Sequence, residues 1–210
     1  MMLRTVLFVL LSASLGAGSL HADFSLNPLN WFSGSSEAEQ ADPAWEKQAL
    51  EQAANKLLEK GRQKFEQGHY LSARRNFKKI AKQYPLTQAA GEARFLHARI
   101  QMERGQFVRA HTLLQEIIFN NPDYPNFQDV ISAQFQCATS LMEGARSKIL
   151  FIFPGFRQYG EAMKQFEFVV ANAPYGDYAP LALMNIALIA EKQNEADLAI
   201  DALDRLINYY

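Results

Sequence analysis

Apolar positions recur along this chain at helical spacing and then recur again at a longer interval. Ala73, Ala110, Ala162 and Ala199 are separated by 37, 52 and 37 residues. Three further columns keep that spacing: Tyr70, Phe107, Tyr159 and Ala196; Phe77, Leu114, Phe166 and Leu203; Ile80, Ile117, Val169 and Leu206. Within a unit the offsets from the Tyr70 column are +3, +7 and +10, which place all four side chains on one face of a helix. Pro85, Pro122 and Pro174 close the first three of these helices, since proline does not continue a helix. A second set of columns runs ahead of the first: Gly61, Ala98, Ala138 and Ala187, with Leu58, Phe95, Phe135 and Met184 three residues earlier. Its intervals are 37, 40 and 49, so three extra residues lie between units two and three and twelve lie inside unit three. The pattern predicts an all-α chain of four helix hairpins, each built around a small residue that lets two helices approach closely. A coiled coil needs unbroken heptads, which the regular prolines forbid.

These offsets resemble the tetratricopeptide repeat. In the first unit Gly61, Gly68, Tyr70, Ala73, Phe77 and Pro85 match that family's small, turn, aromatic, alanine, aromatic and proline positions. The resemblance covers roughly residues 54–210 and implies a solenoid of about four repeats. The first helix of each unit departs from it, because Leu57, Arg94, Gln134 and Leu183 stand where the family has tryptophan. Units of 37 residues and an interrupted third hairpin narrow the likeness further. With the segments GHYLSA at 68–73, FKKIAKQYP at 77–85, QEIIFNNP at 115–122 and YGEA at 159–162, the chain resembles the BamD family of outer-membrane assembly proteins. That resemblance implies a non-catalytic scaffold that binds protein partners, among them a β-barrel assembly component. The alternative is a generic periplasmic repeat adaptor that organises other envelope machinery such as peptidoglycan enzymes.

Residues 1–4 give a short positive start, residues 6–15 an apolar run, and residues 16–22 small side chains ending in Leu20-His21-Ala22 before Asp23. This is the layout of a signal peptide, and the run is too short to span a bilayer. An exported protein is expected, in the periplasm and at most peripheral to the outer membrane. Residues 23–43 read as a flexible linker, rich in Ser, Asn, Glu and Gln around a small aromatic cluster, and residues 44–210 as the solenoid with an insertion at about 145–157. The only cysteine, Cys137, excludes an internal disulfide framework and a cysteine-built metal site. BamD-like proteins are lipoproteins, but no cysteine stands at the end of this leader, so membrane contact is expected only through a partner.

Net charge is −1, and −2 without the leader that holds Arg4 (20 basic against 22 acidic residues), so no nucleic-acid partner is expected. Neither a catalytic constellation nor a cofactor or small-molecule site emerges. His69, His97 and His111 are in no metal-ligand spacing; they read as a turn residue and packed helix residues, and Cys137 as a small packed side chain. Arg74, Arg75, Lys78, Lys79 and Lys82 cover the side of their helix away from the apolar stripe, as a solvated face or a docking site for an acidic partner. The expected binding groove is lined by the first helices: Arg62 and Glu66 in unit one, Arg99 and Glu103 in unit two, Glu143 in unit three. The Arg-x-x-x-Glu spacing equally suits an ion pair within one helix. Phe65, Met102 and Met142 read as core. The insertion carries ILFIFPGF at 149–156, where Ile149, Phe151, Phe153 and Phe156 must pack back on the repeats or be covered by a partner.

Overall fold

The structure is a computed structural model that describes residues 43–144 and 157–210. Among the described residues the chain is helix and turn throughout, in the order α1 (Pro43–Glu66), α2 (Tyr70–Gln83), α3 (Gln88–Glu103), α4 (Phe107–Asn120), α5 (Phe127–Glu143), α6 (Tyr159–Asn172), α7 (Tyr178–Gln193) and α8 (Ala196–Tyr209). Each helix packs on the next, pairing as the hairpins α1/α2, α3/α4, α5/α6 and α7/α8, and each second helix also packs on the first helix of the following hairpin. This is the tetratricopeptide-type solenoid expected from the repeating columns.

The turns inside the hairpins follow from one local device. Gly68 (φ +75°) ends α1 in the left-handed region, with its N–H donating to the Phe65 carbonyl at 3.0 Å and the His69 N–H donating to that of Lys64 at 2.8 Å. Two otherwise orphaned carbonyls are thereby satisfied in a Schellman turn. Gly105 repeats the arrangement after α3 and Asn194 (φ 58°) after α7. Between hairpins the proline stops the helix, and side chains restart it. Thr87 Oγ1 accepts from the Ala90 N–H at 3.1 Å, while the Glu51 carboxylate of α1 accepts from the Gln88 and Ala89 N–H groups, both at 3.0 Å. A carboxylate from the first hairpin thus caps the positive end of α3.

The core runs along the seam of the stack. Ala73, Phe77 and Ile80, then Ala110, Leu114 and Ile117, then Ala162, Phe166 and Val169 are all fully buried. A Cβ added to Gly61 would lie 2.6 Å from Phe77 Cε1, so only glycine permits the observed approach of α1 to α2. In α8 the same columns change: Leu206 is half-buried and Leu203 is 38% exposed, because no further described helix packs on that face.

Two of the positions that lack tryptophan hold buried polar side chains bonded to neighbouring helices and connections. Arg94 Nη1 donates to the Pro85 carbonyl at 3.0 Å and to Asn121 Oδ1 at 2.7 Å, and Asn121 Nδ2 donates to the Thr87 carbonyl at 2.8 Å. Burial lowers the Arg94 pKa, opposed by Glu116, whose Oε2 lies 3.4 Å from Nε. At the next junction Gln134, fully buried, forms a carboxamide triad with Gln115 and Asn172: Gln134 Nε2 to Gln115 Oε1 at 2.8 Å, Asn172 Nδ2 to the same oxygen at 2.8 Å, and Asn172 Nδ2 to Gln134 Oε1 at 3.0 Å. Amides buried in this way are stable only when mutually satisfied.

Candidate protein-binding face

The first helices of adjacent hairpins meet at α1/α3 and at α5/α7, but α3 and α5 scarcely touch; there the second helices α4 and α6 come together instead. The cause lies in the longer α4–α5 connection. It carries Tyr124, only 5% exposed, whose ring packs on Phe95 at a centroid distance of 6.2 Å and sits so close to Gly91 that a Cβ there would approach Cδ2 to 2.9 Å. The side chain acts as a wedge beneath the gap. Its hydroxyl donates to Glu92 Oε2 at 2.6 Å, and Glu92 Oε1 receives Arg62 Nη2 at 3.1 Å, linking α1, α3 and the α4–α5 connection through one carboxylate. Burial first, and the bond to Glu92 second, raise the Tyr124 pKa, so the phenol remains a donor.

The gap is a cavity of about 410 Å³, with Phe95, Arg99, Met102 and Glu103 from α3 on one wall and Asp129, Ser132, Ala133 and Gln136 from α5 on the other. A second hollow of about 420 Å³ shares Asp129 and Ser132 and extends to Tyr175 and Tyr178. Tyr178 fixes its own rim by donating to Ser132 Oγ at 2.9 Å and stacking on Phe135 at 5.2 Å. Arg99 extends over the ring of Phe65 on α1, with its guanidinium carbon 5.7 Å from the centroid, a distance at which the ring face attracts the cation. The surface is therefore mostly polar, with Phe95, Met102 and Ala133 as its apolar part among Arg99, Glu103, Asp129, Ser132 and Gln136, as suits a polypeptide segment whose own polar groups are satisfied there.

Of the residues expected here, Arg99 and Glu103 line the same cavity, while Arg62 lies outside that lining and pairs with Glu92 of α3. Glu66 and Glu143 are exposed at the ends of α1 and α5, outside that lining. Phe65 and Met102 are half-buried against the cores, as is Met142. Ile149, Phe151, Phe153 and Phe156 lie outside the described residues. Glu92, Asp129, Ser132, Gln136 and above all Tyr124 were not foreseen. The signal for Tyr124 was the three-residue excess between units two and three, which the column arithmetic located without assigning it a side chain.

The histidines and the cysteine lie elsewhere. His97 and His111 are buried, and burial lowers both imidazoles to about 4, helped by Arg74 and Lys78 beside the first and Lys164 beside the second. Cys137 is fully buried in α5, where burial pushes its thiol up to about 12.

A run of helix hairpins, each helix packed on the next, defines a tetratricopeptide-type repeat protein. Residues 50–205 match the sequence profile of the family YfiO, described as outer membrane lipoprotein. The chain belongs to that family, and with it to the BamD-like repeat proteins. No curated protein matches it.

Proposed function

We propose that this protein is a periplasmic, non-catalytic scaffold in the assembly of outer-membrane β-barrel proteins, and that the gap between α3 and α5 receives a segment of a protein partner. The observation that carries the reading is the cavity itself, which combines Phe95 and Met102 with Arg99, Glu103 and Asp129 on rigid helices. Family membership supports the outer-membrane setting. The apolar segment at 149–156 supplies a second contact to the partner.

A photo-crosslinking residue placed at Gln136 in living cells tests this, with Lys164 on α6 as the control position. Adducts with a barrel-assembly component are expected at Gln136 and absent at Lys164. Adducts with cell-wall enzymes alone would transfer the protein to the adaptor reading. Arg99→Glu is expected to weaken partner capture by about tenfold or more, the scale of a central interface residue. Deleting residues 149–156 is expected to abolish partner capture with the melting temperature unchanged; loss of folding would assign that segment to the core instead.

A further inference from the structure

Helix α2 carries five cations, Arg74, Arg75, Lys78, Lys79 and Lys82, and no acidic residue. Three of them, Arg75, Lys78 and Lys82, fall with Leu71 on one line at intervals of four, three and four residues, directly opposite the buried Ala73, Phe77 and Ile80. At 1.5 Å per residue that line is about 16 Å long. Arg75, Lys78, Lys79 and Lys82 are exposed, and none of the five cations takes part in an ion pair among the described residues. Leu71 is 63% exposed at the start of the line, beside exposed Tyr70.

The repeat register shows that this charge is particular to one end of the stack. The equivalent positions are Val108, Thr112, Gln115 and Phe119 in α4, and Gly160, Lys164, Glu167 and Ala171 in α6, neither set with net charge. In α8 they are Asp197, Asp201, Asp204 and Asn208. One surface line therefore passes from three cations in the first hairpin to three carboxylates in the fourth. The positive charge of α2 is also felt on the neighbouring helix, where burial first, and Arg74 and Lys78 after it, disfavour protonation of His97.

We propose that α2 docks directly on an anionic phospholipid surface, its basic line on headgroup phosphates and Leu71 entering the interface, so that the first hairpin faces the membrane. Lysine and arginine near an anionic bilayer each contribute, and a leucine in line with them anchors the helix end. Repulsion of the acidic α8 fixes which end approaches. No described helix is long and apolar enough to cross a membrane, so the contact is a surface one. It replaces the sequence expectation of membrane contact through a partner alone, and it holds whichever protein the α3/α5 gap receives.

The test is cosedimentation of the full chain with phosphatidylcholine vesicles, with and without one-third phosphatidylglycerol. Binding is expected only with phosphatidylglycerol and is expected to fall as salt rises. Replacing Arg75, Lys78 and Lys82 together by glutamine is expected to weaken binding by about fivefold per residue, on the order of 100-fold in all. Lys164→Gln leaves it unchanged. Because Cys137 is buried, a polarity-sensitive dye can be placed on Leu71→Cys or on Asp201→Cys; its emission shifts to the blue on anionic vesicles at position 71 and not at 201. Wild-type binding that persists in the triple variant, equal binding to phosphatidylcholine alone, or a dye at position 71 that senses no change overturns the proposal. Failure to bind vesicles combined with stripe-dependent capture of an acidic protein also overturns it, and assigns the stripe to that protein.

Discussion

Replacing Arg94 by methionine isolates what a buried guanidinium contributes where repeats of this type carry tryptophan. Methionine keeps most of the aliphatic stem and removes the charge. Two donated bonds are lost, at 3.0 Å to the Pro85 carbonyl and at 2.7 Å to Asn121 Oδ1. The Pro85 carbonyl keeps a weaker donor in Asn121 Nδ2 at 3.4 Å, so Asn121 Oδ1 is the atom left stranded. A buried acceptor without a donor costs about 1–3 kcal/mol, and releasing Arg94 from desolvation returns part of that. The Glu116 ion pair adds little, because that carboxylate is 46% exposed. A net loss of about 2 kcal/mol is expected, and at about 2–4 °C per kcal/mol for a domain of this size the melting temperature falls by about 4–8 °C. Thermal and guanidinium unfolding followed by circular dichroism measure it. The double cycle with Asn121→Ala should show coupling of about 1–2 kcal/mol. A variant that melts within about a degree of the wild type, or higher, would falsify the reasoning: the guanidinium would then lose to desolvation what it gains in bonds.

Three further outcomes are expected. The imidazoles of His97 and His111, held at about 4 by burial against an ordinary 6.5, must be neutral in the folded chain. The unfolded chain therefore binds more protons between these values, and stability is lost as pH falls through that window, on the order of 1–2 kcal/mol per histidine by pH 5. Denaturant titrations across the window, with His111→Gln reducing the slope, check this; a flat profile contradicts it. Gly61→Ala gains about 1 kcal/mol of helix propensity and meets Phe77 Cε1 at 2.6 Å, so a net destabilisation of about 1–2 kcal/mol is expected in chemical unfolding. Cys137, fully buried and with its thiol raised to about 12, should resist a thiol reagent in native buffer and react once the chain is unfolded.

The hairpins were legible in the sequence because burial repeats: Ala73, Phe77 and Ile80 and their equivalents recur at an interval that only a stack of similar units produces. The turns were legible for the same local reason, with Gly68 marking a left-handed residue. The polar seams were not. Arg94 and Gln134 stood out as departures from tryptophan, but their partners lie on other helices, 27 residues away at Asn121 and 19 and 38 away at Gln115 and Asn172. No periodicity links such pairs. The candidate site was half legible: Arg99 and Glu103 followed from register, whereas the gap they border depends on Tyr124, which belongs to no column. Arg62 was read as a groove residue or, equally, as the partner of Glu66 in its own helix; its ion pair is with Glu92, a carboxylate that the next hairpin brings within reach.

The loose contact between α3 and α5 also bears on how the stack deforms. With α4 against α6 behind it and the Gln115, Gln134 and Asn172 amides at the joint, the two pairs of hairpins are held at the back and open at the front, like a book on its spine. Behind the gap one apolar layer is continuous, from Ala98 of α3 through Leu114 and Ile117 of α4 to Val130 and Cys137 of α5, so a change of angle at this joint would disturb packed core. A segment seated there is thus expected to meet a gap of fixed width, one that selects its occupant by size rather than by yielding to it.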